Sequence, residues 1–207
     1  MAKAPESMLK TPTLTAAMLA LMLFVSLLVA GTNAQTNPGA TQEVCVSGTC
    51  FAGETTLSNG ALPIRGAGTL TYLGFKVYSA ALYARPEATR LVDSDTSEPL
   101  GLVLHYHRKI SREDINKSTL QALAENPNVS IIQIRKPLDQ MITYHQDVQP
   151  GDRYELTYEP GRGMRVVFNG AEKGVVPGDE FARAYLGMWL SDHPLSKSLR
   201  EKLMGKD

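Results

Sequence analysis

The sequence predicts an α+β domain: a large antiparallel sheet with helices packed on one face. Three observations predict it. Strand patterns outnumber helical ones and are joined by tight turn signals, Pro160-Gly161-Arg162-Gly163 and Asn169-Gly170, rather than by long crossovers. The run LGLVLHYHRKI over 100–110 alternates with period two, putting Leu102, Leu104, Tyr106, Arg108 and Ile110 on one face and Val103, His105, His107 and Lys109 on the other. Helical patterns occur separately, after 110 and at the end of the chain.

In chain order, residues 1–34 have the form of an export signal. Lys3 and Lys10 precede an apolar run from Leu14 to Ala30, and GTNAQ closes it with small residues suited to cleavage after Ala34. An uncleaved anchor is the alternative, because the run approaches the shortest length that spans a bilayer. Without Lys3, Lys10 and Glu6, the 21 basic and 21 acidic residues become 19 and 20, a balance that gives no support for nucleic-acid binding or polybasic membrane attachment. Any membrane contact expected from the sequence is through the leader alone. QTNPGATQ over 35–42 reads as a linker, and 43–207 as one domain with its own core. Cys45 and Cys50, the two cysteines of the chain, are expected to form a structural staple in an oxidising compartment, with Ser47-Gly48 turning the chain between them.

GFKVYSAALYA over 74–84 reads as a strand covered on both sides, since neither alternating face is polar. Simple alternation puts Lys76 and Tyr78 on one face, where the small residues nearby leave room either for a close-packed helix or for a ligand. Ser111 with Asp114 three residues on predicts a helix whose stripe is Ile115, Leu120 and Leu123. A second helical pattern, Ile131, Ile134, Leu138, Met141 and Ile142, contains Pro137 and is expected to kink or break there. Asp179 is read as the cap of EFARAYLGMWL, and Pro194 as the opening of a final helix that Gly205 ends.

Several motifs resemble, in order and spacing, those of the bacterial exported chalcone isomerase-like proteins. They are KVYSAALY (76–83), GDRYELTY (151–158), NGAEKG (169–174), and FARAYLGMWL (181–190) followed by a proline-led helix. The resemblance runs from Gly66 to Gly205. It implies an open-faced sandwich, with ligands held between sheet and helices. The catalytic relatives polarise an enone and favour a phenoxide through an arginine, a threonine, a tyrosine and an asparagine, which is oxyanion stabilisation. Here the corresponding positions hold Leu70, Tyr78, Ile115 and Ala122. With the cation absent from its slot, the resemblance implies binding without catalysis, and no catalytic residue is assigned. The ligand expected is a small amphipathic molecule such as a fatty acid. Lys76, Tyr78, Tyr106 and Arg108 are the binding candidates, the two cations supplying the charge.

No cofactor motif is read. GAGTLTYLG lacks the βαβ setting of a dinucleotide site, and His105 with His107 lacks a third metal ligand nearby. Ser79, His145 and Asp147 lack the elbow of a hydrolase, and Phe181, Tyr185, Met188 and Trp189 at helical spacing read as core. Two other classes stay open: an isomerase or intramolecular lyase with a rearranged site, and an envelope accessory protein that uses the fold as a scaffold. The leader places the mature protein in the periplasm. Intact-mass measurement of the exported protein should put its N-terminus at or near Gln35; recovery of the full-length chain from membranes would favour the anchor instead.

Overall fold

A computed structural model describes residues 42–58, 60–88, 91–92 and 98–206. The leader read over 1–34, and all of the linker but Gln42, lie outside the described residues. A two-stranded hairpin, β1 (Val44–Val46) and β2 (Thr49–Phe51), precedes a seven-stranded antiparallel sheet. The sheet runs β3 (Glu54–Leu57), β4 (Gly60–Tyr72), β5 (Phe75–Tyr83), β6 (Leu100–Tyr106), β7 (Arg153–Glu159), β8 (Gly163–Phe168) and β9 (Ala171–Val176), each strand beside its neighbour in sequence. Helices α1 (Arg112–Glu125) and α2 (Arg135–Tyr144) come between β6 and β7, while α3 (Asp179–Leu190) and α4 (Lys197–Leu203) follow β9. The α+β open-faced sandwich expected from the sequence is the architecture found.

The turn chemistry explains the meander. Asn169 and Gly170 take φ of 50° and 77°, the left-handed pair that a two-residue hairpin needs between β8 and β9. Ser47 and Gly48 do the same between β1 and β2, where Cys45 and Cys50 pair directly across the strands and are joined as a disulfide. Ser111 caps α1, accepting from the Asp114 N–H at 3.1 Å.

Four local expectations need correction. In α1 the buried positions are Thr119 and Leu123, with Ile115 half-buried. Leu120 lies five residues from Ile115, which turns it well off that face, and it is exposed. Pro137 does not kink a longer helix: α2 begins at Arg135, so the proline falls in the first turn, where an N–H has no intrahelical partner to lose. Asp179 is the first residue of α3 rather than its cap, which is Gly178; its carboxylate instead accepts from the Gly161 N–H at 3.0 Å, tying the β7–β8 turn to the helix. The last helix opens on Ser196, whose hydroxyl accepts from the Leu199 N–H at 3.2 Å, two residues beyond Pro194.

Both faces of the sheet are covered where β5 lies. On the helix side Tyr78, Ala80 and Leu82 join the main core with Leu102, Leu104, Phe181 and Leu186. On the other side Ala81, Tyr83 and Val103 pack with Phe51 of the hairpin and Leu62 of β4. The Tyr83 hydroxyl donates to the Ala52 carbonyl at 2.9 Å.

The glycines of GAG lie inside β4 and form no turn. Arg65 sits at an irregularity in the β4–β5 pairing, and its guanidinium donates to the Ala88 carbonyl. Gly66 and Gly68 face α4, which lies so close that added side chains have no room. A Cβ at Gly66 would collide with the carbonyl oxygens of Lys202 and Leu203, the second at 2.7 Å; one at Gly68 would meet Leu199 Cδ1 at 3.0 Å. Gly66→Ala is therefore expected to cost roughly 1–3 kcal/mol by overpacking. Urea denaturation measures it, and an unchanged midpoint would show that α4 yields easily.

Candidate functional site

Between sheet and helices lies a cavity of about 200 Å³, space for on the order of a dozen waters at the volume one water requires. Its floor comes from Leu70 of β4, Val77 and Tyr78 of β5, Leu104 and Tyr106 of β6, and Tyr154 and Leu156 of β7. The helices supply Ile115 and Thr119 from α1, Met141 from α2, and Tyr185, Met188 and Trp189 from α3, with His145 just past the end of α2. The deep residues are buried, whereas Leu70, Val77, Ile110 and Ile115 are half-buried and Asp114, Ser118 and Leu195 are exposed. The mouth therefore opens between the tip-side ends of β4 and β5, the start of α1 and the loop after α3.

The hydroxyls of Tyr78 and Tyr154 and the imidazole of His145 are already partnered. The Tyr78 hydroxyl accepts from Trp189 Nε1 at 2.8 Å. The Tyr154 hydroxyl donates to the Tyr144 carbonyl at 3.1 Å and accepts from the Gln146 N–H at 2.8 Å. His145 bridges two helices: Nδ1 lies 2.5 Å from Asn116 Oδ1 and Nε2 lies 2.9 Å from the Tyr185 hydroxyl. An amide oxygen only accepts, so Nδ1 carries the proton and Tyr185 donates to Nε2. Tyr106 stands edge-on between Tyr78 and Tyr154, with ring centroids 5.7 and 6.3 Å away.

Electrostatically the cavity favours neutral groups. Burial pushes the hydroxyls of Tyr78, Tyr106 and Tyr185 above the ordinary phenol range, and that of Tyr154 up to about 12. Burial, with the Arg112 charge adding to it, lowers His145 to about 4. Among the described residues no lysine or arginine lines the wall, and the one charged lining residue is Asp114, at the mouth. Such a chamber can hold an apolar body and offer it hydroxyls and an imidazole, but an anion placed deep within it has no fixed positive charge to meet.

Of the four binding candidates, the cavity brings together Tyr78 and Tyr106, which are directly opposite across β5 and β6. Lys76 and Arg108 lie outside its lining. Alternation from Tyr78 fails for Lys76 because the β4–β5 pairing slips there: Leu70 pairs Tyr78 and Thr71 pairs Lys76, leaving Val77 as an extra residue. The bulge returns Lys76 to the outer face, where its Nζ reaches the Ser47 carbonyl at 3.5 Å. Its charge there, after burial and His105, helps depress the His107 pKa. Arg108 lies two residues past the end of β6 at Tyr106, outside the cavity lining, and its guanidinium lies 5.5 Å from the Phe75 ring centre.

The remaining constellations separate by face. Ser79 hydrogen-bonds His107 Nε2 at 2.8 Å on the outer face, so it cannot meet His145 in the cavity. Tyr185, Met188 and Trp189 are core, as their spacing predicts, yet they also form the cavity roof. His145 and Tyr154 were not legible as wall residues, nor Asn116 as the partner behind His145, because their partners are distant in sequence. A buried aromatic or imidazole with a polar end needs a hydrogen-bond partner, and that requirement is the available signal.

His145 makes stability depend on pH. Its folded pKa of about 4 lies below the unfolded value of 6.5, so its contribution is fully present above pH 6.5 and is lost as pH falls towards 4. The loss is on the order of 3 kcal/mol. Between these pH values, denaturation should show the unmodified protein losing that much more stability than His145→Gln; parallel curves would mean His145 titrates normally.

The family described as chalcone isomerase-like matches residues 43–205. A comparison with curated protein sequences finds no match. Among solved structures, the crystal structure of an Arabidopsis thaliana fatty-acid binding protein is similar, with a TM-score of 0.60 and 17% identity over 79% of this chain and 96% of that one. At that identity the likeness shows the fold alone, but the family match spans most of the chain. The chain belongs to the chalcone isomerase-like family.

Proposed function

We propose that this domain, exported through the leader at 1–34, binds a small amphipathic molecule without transforming it. The apolar body fills the cavity and the head stays at the mouth. The observation that carries the reading is the wall itself: aromatic and aliphatic, buried at depth, and without a lysine or arginine where Leu70 stands. A carboxylate buried there would be desolvated and unpaired. A fatty acid, the ligand class named for the Arabidopsis protein of this fold, would therefore keep its carboxylate outside. Val77 and Ile110 line the cavity; Lys76 and Lys109 each lie one residue from them and Arg108 two, so these cations flank that mouth in sequence.

A second reading, an isomerase with a rearranged polar set, rests on the His145–Tyr185 hydrogen bond, which puts an imidazole and a phenol able to exchange a proton in the cavity wall. The missing cation argues against it for chalcone cyclisation: burial alone raises a phenol's pKa and disfavours the attacking phenoxide.

Trp189, the one tryptophan of the chain, lines the cavity and serves as reporter. Titration with dodecanoate should change its fluorescence saturably. Lys76→Met and Arg108→Met should each weaken dodecanoate roughly two- to five-fold, the range of an exposed ion pair, and leave dodecanol unaffected. The absence of saturable binding for both, with no small molecule retained in native mass spectrometry, would favour a scaffold. Cyclisation of a 2′-hydroxychalcone should proceed at the solution rate; stereoselective turnover would establish the isomerase.

A further inference from the structure

Beside the mouth, β4 and β5 run on into a hairpin tip where Thr71, Tyr72, Leu73, Gly74, Phe75 and Lys76 are all exposed. Tyr72, Leu73 and Phe75 are 66%, 79% and 64% accessible, three consecutive large apolar positions apart from Gly74. Scattered exposed hydrophobics need no explanation, but a contiguous group at an apex does.

Leu73 adds a second observation. It takes φ of 50° and Gly74 takes 81°, so leucine occupies the first position of a turn in which asparagine, aspartate or glycine is unstrained. A left-handed conformation is unfavourable for a bulky side chain, and the side chain gains no burial in return. Nothing in the folding of the domain accounts for leucine there, so the side chain has another use.

The register sets which way the tip faces. The bulge at Val77 turns Lys76 to the outer face with Thr71, so Tyr72 and Phe75, which pair with each other, fall on the cavity side. At this apolar apex stand Lys76 and Arg108, the latter above the Phe75 ring, and the exposed Lys109 follows Arg108 in sequence. The carboxylates of the adjoining α1 start and β6–β7 end are engaged by local donors. Asp114 accepts from the Ser111 hydroxyl, Asp147 from the Arg112 N–H, and Asp152 from the Gln149 N–H, each at 2.7 Å. Glu113 is the remaining exposed acid of that turn.

We propose that the β4–β5 tip is a membrane-docking surface: Tyr72, Leu73 and Phe75 enter the interfacial zone of an anionic bilayer while Lys76, Arg108 and Lys109 bind its headgroups. Aromatic rings with polar edges settle at that depth, and cations close to the surface add attraction. Docked this way, Leu70 and Val77, on the same two strands, bring the cavity mouth to the lipid. Exchange of a lipid-derived molecule through that mouth rests on the binding reading above; docking itself does not.

The test uses the full chain, with a local probe so that any contribution of the apolar segment at 14–30 is not what is read. The described cysteines are joined to each other, so Leu73→Cys provides a single thiol for an environment-sensitive nitrobenzoxadiazole label. With vesicles of equal parts phosphatidylglycerol and phosphatidylcholine, its emission should shift to the blue and be quenched by lipids spin-labelled in the acyl chain. Vesicles of phosphatidylcholine alone should give less of both. A label at Ile132→Cys, more exposed still but on the segment before α2, should give neither. With the label moved to Tyr72→Cys, Leu73→Asn should reduce the signal while folding stability holds or rises, since asparagine suits the turn. Arg108→Gln and Lys76→Gln should each weaken association about five-fold. An unshifted tip label, or equal shifts at positions 73 and 132, would overturn the proposal. Because Trp189 reports cavity occupancy separately, failure of docking and failure of ligand binding are read apart.

Discussion

The architecture depends on one close approach, that of α4 onto the paired glycines of β4. Gly66 and Gly68 present no side chain, so the backbone at Lys202 and Leu203 comes down to the sheet itself. The neighbouring strand continues the trough with Ala80, opposite Gly68. Two residues further along the same face the pattern reverses: Leu70 opposes Tyr78, which opposes Tyr106 on the next strand. Large side chains there support α3 through Tyr78 and Trp189 instead of admitting it to the backbone. The helical layer is thus near the sheet at one end and propped away from it at the other. The cavity is what lies beneath the propped end.

That origin determines the cavity's chemistry. Props made of tyrosine, tryptophan and histidine bring polar ends into a buried space, and each end must be partnered as the price of burial. The partners found are neutral: an indole N–H, backbone groups, an amide oxygen. Apart from Asp114 at the mouth, the wall thereby stays uncharged, with its phenols held protonated and its imidazole held neutral. Leu70 belongs to the same design, since a guanidinium at that position would have to be desolvated against Tyr78 and Trp189. A site built in this way selects for apolar shape and a few hydrogen bonds, and it leaves charge to be handled at the mouth.

What was legible in the sequence was local or periodic. The Asn169-Gly170 and Ser47-Gly48 hairpins, the Ser111 cap, the cysteine staple and the doubly covered β5 all follow from residues within a few positions of one another. The site was legible only in half. Tyr78 and Tyr106 are cavity residues because they lie in regular strand, where alternation holds. Lys76 was misplaced in space because it lies just past a bulge, whereas Arg108 lies beyond the end of β6 and outside the cavity lining. A single extra residue reverses every face assignment beyond it, and no propensity marks Val77 as that residue. The His145 bridge was invisible for a different reason: its partners are 29 and 40 positions away, and only the packing of α1, α2 and α3 brings them together.

The same bulge links the interior of the domain to its surface. Along β4 and β5, from the Gly66 end outward, the helix-facing side changes from bare backbone to cavity floor to exposed apex. If β5 kept strict alternation beyond Tyr78, Lys76 would face the cavity side and Phe75 would point to the outer face. The charge would then lie beside the buried phenols, where desolvation opposes it, and the apex would lose an aromatic ring from the side of the mouth. Inserting Val77 exchanges these positions. It puts the ammonium on the outer face near the Ser47 carbonyl and His107, gives the cavity a further apolar wall residue, and leaves Phe75 beside Tyr72 under the Arg108 guanidinium. One residue of register therefore keeps the cavity neutral, and also makes the tip apolar on the side where the cavity opens.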